Sequence, residues 1–86
     1  MPETREAKLK RLKMRSWRRG MKEMDLILGP YADQHLAGMD ADDLEIYDQL
    51  LSENDQELYR WITGQGTPPD TLAGLLKKIA AHAGTR

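Results

Sequence analysis

Apolar residues recur along the chain at the three- and four-residue spacings of a helix face, in stretches separated by glycines, prolines and small capping residues. Five segments emerge, without an internal repeat. The first runs from about Thr4 to Arg19, with Leu9, Leu12 and Trp17 as its main apolar residues, a weak stripe on a very basic helix. The second begins near Gly20, where Met21, Met24 and Leu28 extend a line from Trp17 at spacings of four, three and four, which predicts one core-facing line. Gly29-Pro30 interrupts that line. Pro30 suits a first helical turn and restarts one or two turns through Tyr31, Ala32, His35 and Leu36, before Gly38 closes the segment.

Asp40 is placed to cap a third helix, whose positive amino end Asp42, Asp43 and Glu45 complement and whose inward residues are Leu44, Tyr47, Leu50 and Leu51. Asn54 caps a short fourth helix carrying Leu58, Trp61 and Ile62, which Gly64-Gln65-Gly66 ends. Thr67, Pro68 and Asp70 supply an N-cap, a first-turn proline and an acidic third position for the last helix. Its stripe is the clearest of all: Leu72, Leu75, Leu76, Ile79, Ala80 and Ala83. The pattern predicts an all-α fold, a compact bundle of about five short helices forming a single domain over residues 1–86.

Composition agrees. Valine and phenylalanine are absent, and four isoleucines and five threonines leave little strand-forming material. A chain of 86 residues makes one domain, with a folded surface of about 5,200 Å² by mass scaling. Zero cysteines exclude a disulfide scaffold, a thiolate metal site and a cysteine nucleophile. No apolar run reaches membrane-spanning length, the basic amino terminus lacks the apolar stretch of a secretory signal, and Glu3 and Glu6 do not suit a transit peptide. The expected location is cytoplasmic.

The net charge of −1 conceals opposed blocks. Residues 1–22 carry nine lysines and arginines against Glu3 and Glu6, whereas residues 23–59 carry eleven acidic residues and no lysine or arginine. Such blocks either attract each other within the folded chain or present two charged faces to partners.

Catalytic constellations are scarce. His35 and His82 are too few for a histidine zinc site and read as surface or packing residues. The acidic run Asp40–Glu45 lacks the glycine and the closing glutamate of a calcium loop. Gly64-Gln65-Gly66 is too short for a dinucleotide fingerprint. No catalytic residue, metal site or cofactor-binding residue is assigned.

The informative stretch is Arg18-Arg19-Gly20-Met21-Lys22-Glu23-Met24-Asp25. If it is helical throughout, Arg19 and Glu23 share one face, turned outward from the line of Trp17, Met21, Met24 and Leu28. A mid-helix glycine costs about 1 kcal/mol relative to alanine, so Gly20 either breaks the helix or lets another backbone or a ligand approach closely. An Arg19–Glu23 ion pair within one helix, beside a helix-breaking glycine, accounts for the stretch in purely structural terms.

Arg19-Gly20-Met21-Lys22-Glu23 resembles the RGxxE signature of the succinate dehydrogenase flavinylation factors, the small SdhE-type assembly proteins of bacteria and mitochondria. The likeness continues through Met24-Asp25-Leu26, the acidic helix ending in Leu50-Leu51, and Asp55, Leu58 and Trp61, and is clearest over residues 10–65. The resemblance implies a helical bundle that binds the flavoprotein subunit of succinate dehydrogenase, and sometimes that of fumarate reductase. It implies promotion of covalent FAD attachment to a histidine of that subunit, a reaction the client performs on itself, so that the factor is not counted as an enzyme. No cofactor is then bound stably; the FAD acted on is held by the client. Carried over to this sequence, the partner-binding residues are Arg19, Gly20, Met21 and Glu23, with Arg15, Lys22 and Asp25 as weaker candidates. The resemblance also implies a positional role for Glu23 ahead of a proton-transfer role. The alternative reading is a nucleic-acid-binding module that uses the basic first helix with Trp17 as a stacking residue, against which stands the absence of a groove-reading motif. A membrane-surface helix is disfavoured by the weak apolar stripe, and no membrane insertion is expected.

Overall fold

Side-chain caps set the starts of three helices in this chain. A computed structural model describes residues 2–84 as five α-helices: α1 Arg5–Trp17, α2 Lys22–His35, α3 Ala41–Leu51, α4 Asp55–Ile62 and α5 Asp70–Gly84, with a 3-10 turn Leu36–Gly38 between α2 and α3. The side-chain oxygens of Thr4, Asp40 and Asn54 accept the N–H groups of Ala7, Asp43 and Glu57 at 3.0, 2.8 and 2.8 Å. Each such cap contributes about 1 kcal/mol. α4 stops at Gly64, whose φ of 88° is the left-handed conformation that glycine adopts most easily, and the Gln65 N–H returns to the Arg60 carbonyl at 2.7 Å. The all-α fold predicted from periodicity is the one that forms.

The inward residues meet in one core. Leu12 of α1, Met24 and Leu28 of α2, Leu44, Tyr47 and Leu50 of α3, Leu58 of α4 and Leu72, Leu76 and Ile79 of α5 are all buried. α1 lies along α2, and α5 packs against α2, α3 and α4. The exposed surface of 5471 Å² is close to the size expectation. No helix among the described residues is long and apolar enough to cross a membrane.

Three local expectations are corrected. α2 runs unbroken through Gly29-Pro30. An interior proline costs about 3 kcal/mol, but Ile27, Leu28, Tyr31 and Ala32 on either side are buried, and a large apolar side chain contributes about 1.5–3 kcal/mol, so packing wins. Trp17 does not extend the core line. The chain turns at Gly20 with φ 91°, which puts Trp17 on a different helix from Met24 and Leu28 and leaves it 41% exposed. Its indole instead lies over Gly29, where a Cβ would overlap the ring, and Nε1 donates to Asp33 at 3.2 Å. Finally, α5 begins at Asp70, and the Pro69 carbonyl accepts from the Leu72 and Ala73 N–H groups at 3.0 and 3.1 Å. Thr67 and Pro68 therefore precede the cap instead of forming it.

The opposed charge blocks attract each other within the molecule. Lys8, Arg11 and Arg15 stand on one face of α1 at spacings of three and four, against α3. Lys8 pairs with Glu45 at 3.0 Å, Arg11 with Asp48 at 2.9 Å and with Glu3 at 2.8 Å, and Arg15 with Asp48 at 3.1 Å. Arg5 reaches the carbonyls of Ala37 and Met39. Beneath this row the buried Ser16 hydroxyl donates to the Leu12 carbonyl at 2.8 Å and lies 2.6 Å from the Tyr47 hydroxyl. Burial pushes the Tyr47 hydroxyl pKa up to about 12.

The Arg11 hydrogen bond holds the Asp48 carboxyl below the ordinary carboxylate range. A depressed folded-state pKa means that the stabilisation is present above the unfolded value of about 4 and is lost as pH falls through the folded one. Melting temperature should therefore decline as pH is lowered below about 4, and Asp48→Asn should lower it at neutral pH while flattening that acid slope. Thermal melts of both proteins between neutral and acid pH check this.

Candidate partner-binding site

Between α1 and α2 the chain has four residues, 18–21, in which to reverse direction, and Gly20 supplies the conformation that makes this possible. A Cβ on Gly20 would meet nothing within 4 Å, so inside this chain glycine is required by backbone angle and not by crowding. The loop is held at both ends. The Arg19 N–H donates to Asp25 Oδ1 at 2.6 Å, and the Arg19 guanidinium reaches across to the α3–α4 corner. There Nε donates to Asp55 Oδ1, Nη1 to the Leu51 carbonyl and Nη2 to the Glu53 carbonyl, each at 2.7 Å.

This overturns the outward placement expected of Arg19. Its side chain is only 9% exposed, and that of Asp55 is 15% exposed. Arg19 pairs with Asp55 and not with Glu23, because Gly20 ends the helical register that would have stacked them. Glu23 is exposed, as expected, on the first turn of α2. Met21 occupies the cap position of α2 without a side-chain cap bond and is half-buried against the core.

The result is a shallow, open cleft of about 660 Å³, lined on one wall by Arg19, Gly20, Met21, Lys22 and Glu23 and on the other by Asn54, Asp55 and Gln56. Five of the sequence-derived candidates thus converge on one feature. Asp25 lies just behind it, holding the loop backbone. Arg15 does not line the cleft; it is bound to Asp48 and, at 3.0 Å, to the Leu51 carbonyl that Arg19 also reaches.

A sequence model of the Sdh5 family, described as flavinator of succinate dehydrogenase, matches residues 10–83. The chain belongs to this family. The match takes in α5, beyond the stretch over which the resemblance is clearest from motifs. Among curated relatives, the FAD assembly factor SdhE of Pseudomonas aeruginosa is 40% identical over 65 residues, 76% of each chain. Succinate dehydrogenase assembly factor 2, mitochondrial, of Meyerozyma guilliermondii is 46% identical over 61 residues, covering 71% of this chain and 45% of the relative. Its namesake in Drosophila grimshawi is 37% identical over 75 residues, covering 84% and 51%. The chain spans about half the length of these mitochondrial relatives.

In this Sdh5-family chain, the α4 wall of the cleft is what motif reasoning misses. Asp55 sits in the stretch that carries the resemblance, but its pairing with Arg19 spans 36 residues, and no local spacing signals it. A larger cavity of about 820 Å³ opens elsewhere, between α2, α3 and α5, beside Tyr31, His35, Met39, Asp43, Leu75 and Lys78. His35, on that cavity's lining, and His82 pack against Tyr31, with ring centroids 4.6 and 5.4 Å from its own. Arg19, Gly20, Met21, Lys22 and Glu23 line the smaller cleft.

The geometry separates three motif positions by stability. Arg19→Ala strips Asp55 of its partner, leaves the Glu53 carbonyl without its donor and the Leu51 carbonyl with Arg15 alone, at about 3 kcal/mol. Gly20→Ala forces a side chain into a left-handed backbone at about 1–2 kcal/mol. Glu23→Ala, at an exposed site, should stay within about 0.5 kcal/mol of the parent. Urea denaturation of the three variants measures this order directly.

Proposed function

We propose that this chain binds the flavoprotein subunit of succinate dehydrogenase through the cleft at Gly20–Glu23, and by the same contacts that of fumarate reductase. Bound there, it promotes covalent attachment of FAD to a histidine of the client. The observation that carries the reading is the state of the motif itself. Arg19, Asp25 and Asp55 are satisfied inside the fold, while Glu23 and the bare Gly20 stand at the mouth of an open cleft. The family match supplies the client class, since the relatives are named as assembly factors of that enzyme and of its FAD.

The chain acts by position and is not an enzyme. Flavinylation needs the flavin methyl group held against the accepting histidine, and a partner that binds the client's mobile parts in one arrangement raises the fraction of time spent in that geometry. Glu23 takes part by holding the client. FAD stays with the client throughout. The cleft has no glycine-rich loop feeding a helix, of the kind that cradles a pyrophosphate, and it is too open to enclose a dinucleotide.

Nucleic-acid binding by α1 is disfavoured by the use already made of its charges. Arg5, Lys8, Arg11 and Arg15 of α1, and Arg19 just after it, are committed to carbonyls and carboxylates of the same chain, and counterion release needs cations free to meet phosphates.

Incubation of the apo-flavoprotein subunit with FAD, with and without the chain, tests the proposal through covalent flavin fluorescence in a denaturing gel. The chain should raise the covalent yield, and Glu23→Ala should lower that gain without shifting the melting temperature. Equal yields with and without the chain would refute it. Calorimetric titration of the isolated chain with FAD should show no saturable micromolar binding.

A further inference from the structure

Arginine in a recognition motif is ordinarily read as the group that grips the partner, and the geometry here points elsewhere. We infer that Arg19 is a positioning residue, and that the docking surface continues from the motif onto the first turn of α4, where Gln56 is a contact residue. This rests on the cleft being the client site.

The argument begins with donor capacity. A guanidinium has five N–H groups, and Arg19 has bonds of 2.7 Å from each of its three nitrogens to Asp55, Leu51 and Glu53. With a side chain 9% exposed, it can offer a client little without giving up those bonds. What the bonds accomplish is local. Leu51 is the last residue of α3, so the cation sits at the negative end of that helix. Asp55 is the first residue of α4, so the same cation fixes where α4 begins relative to Gly20. The other end of the loop is held by the Arg19 N–H on Asp25. Arg19 therefore sets the width and facing of the cleft's two walls.

Of the three residues in the far wall, two are already used. Asn54 caps α4 through the Glu57 N–H, and Asp55 holds Arg19. Gln56 is exposed, lines the cleft, and its side chain makes no hydrogen bond to another described residue. Its amide carries both donors and an acceptor, the combination that pairs with a peptide group. Across the cleft, Gly20 has no side chain and open space where a Cβ would stand. A bare backbone on one wall and a primary amide on the other suit an extended backbone segment of the flavoprotein subunit, with exposed Lys22 and Glu23 alongside to select its side chains.

The test compares client affinity and melting temperature for Gln56→Arg, Glu23→Arg, Arg19→Ala and Arg19→Lys, with Gln49→Arg on α3 as an exposed site outside the cleft. Gln56→Arg should weaken binding about tenfold or more with an unchanged melting temperature, as a bulky substitution at an interface centre does. Glu23→Arg should do the same and Gln49→Arg should do neither. Arg19→Ala should lose affinity and melting temperature together, and should still bind more weakly than the parent at a temperature low enough for the variant to be folded, because its cleft walls are no longer fixed. Arg19→Lys, which keeps the charge and loses the fork, should fall between parent and Ala in both measurements. Parent-like binding by Gln56→Arg alongside impaired Glu23→Arg would remove the α4 wall from the interface while leaving the client site in place. An Arg19→Ala protein with parental melting temperature and no binding would make Arg19 a contact residue. Parent-like binding by both Gln56→Arg and Glu23→Arg would overturn this inference and the cleft reading together.

Discussion

The Arg19 guanidinium joins the two halves of this small bundle at the cleft between the α1–α2 turn and the start of α4. On one side stands the turn at Gly20, which lets α1 and α2 reverse; on the other stands the corner between α3 and α4. Without Arg19, Asp55 and the Glu53 carbonyl would face one another at the edge of the core with no donor, and the Leu51 carbonyl would keep Arg15 alone. A largely desolvated ion pair of this kind is weak evidence for net stability, since removing charges from water costs nearly as much as pairing returns. Its value is in fixing geometry: once made, it holds the motif loop in one place against α4.

The rest of the charge pattern extends the same logic along α1. Lys8, Arg11 and Arg15 meet Glu45 and Asp48 of α3, and the half-exposed members of this row contribute about 0.2–1 kcal/mol each. The basic block is thus mostly an internal fastener that draws an N-terminal helix with a weak apolar stripe onto the bundle. Lys10, Lys13, Arg18 and Lys22 make no ion pair among the described residues and remain for solvent or partners. A row that looks from composition like a nucleic-acid-binding helix is therefore largely spent before any partner arrives.

Elements governed by short-range rules were legible in the sequence. Asp40 and Asn54 cap where their spacing predicts, Gly64 ends α4, and the stripe of Leu72, Leu76 and Ile79 is buried. Features decided by competition or by distant residues were not. Local rules end a helix at Gly29-Pro30, yet burial of Leu28 and Tyr31 carries α2 through, and Gly29 is needed because Trp17 lies on it. The line from Trp17 to Leu28 was broken by one positive φ at Gly20. That same angle separates Arg19 from Glu23, so residues 19–23 line one cleft while the arginine turns inward, where a continuous helix predicts it outward. The partner of Arg19 lies 36 residues away, beyond the reach of any periodicity argument.

Division of the motif into an internal brace and an exposed contact surface is the central claim, and backbone hydrogen exchange on the chain, free and bound to the flavoprotein subunit, tests it most directly. Bound client should slow exchange at residues 20–24 and 54–58 together, the two walls of the cleft, with little change along the α2–α3–α5 cavity. Protection confined to that cavity, or to α1 without α4, would contradict the account.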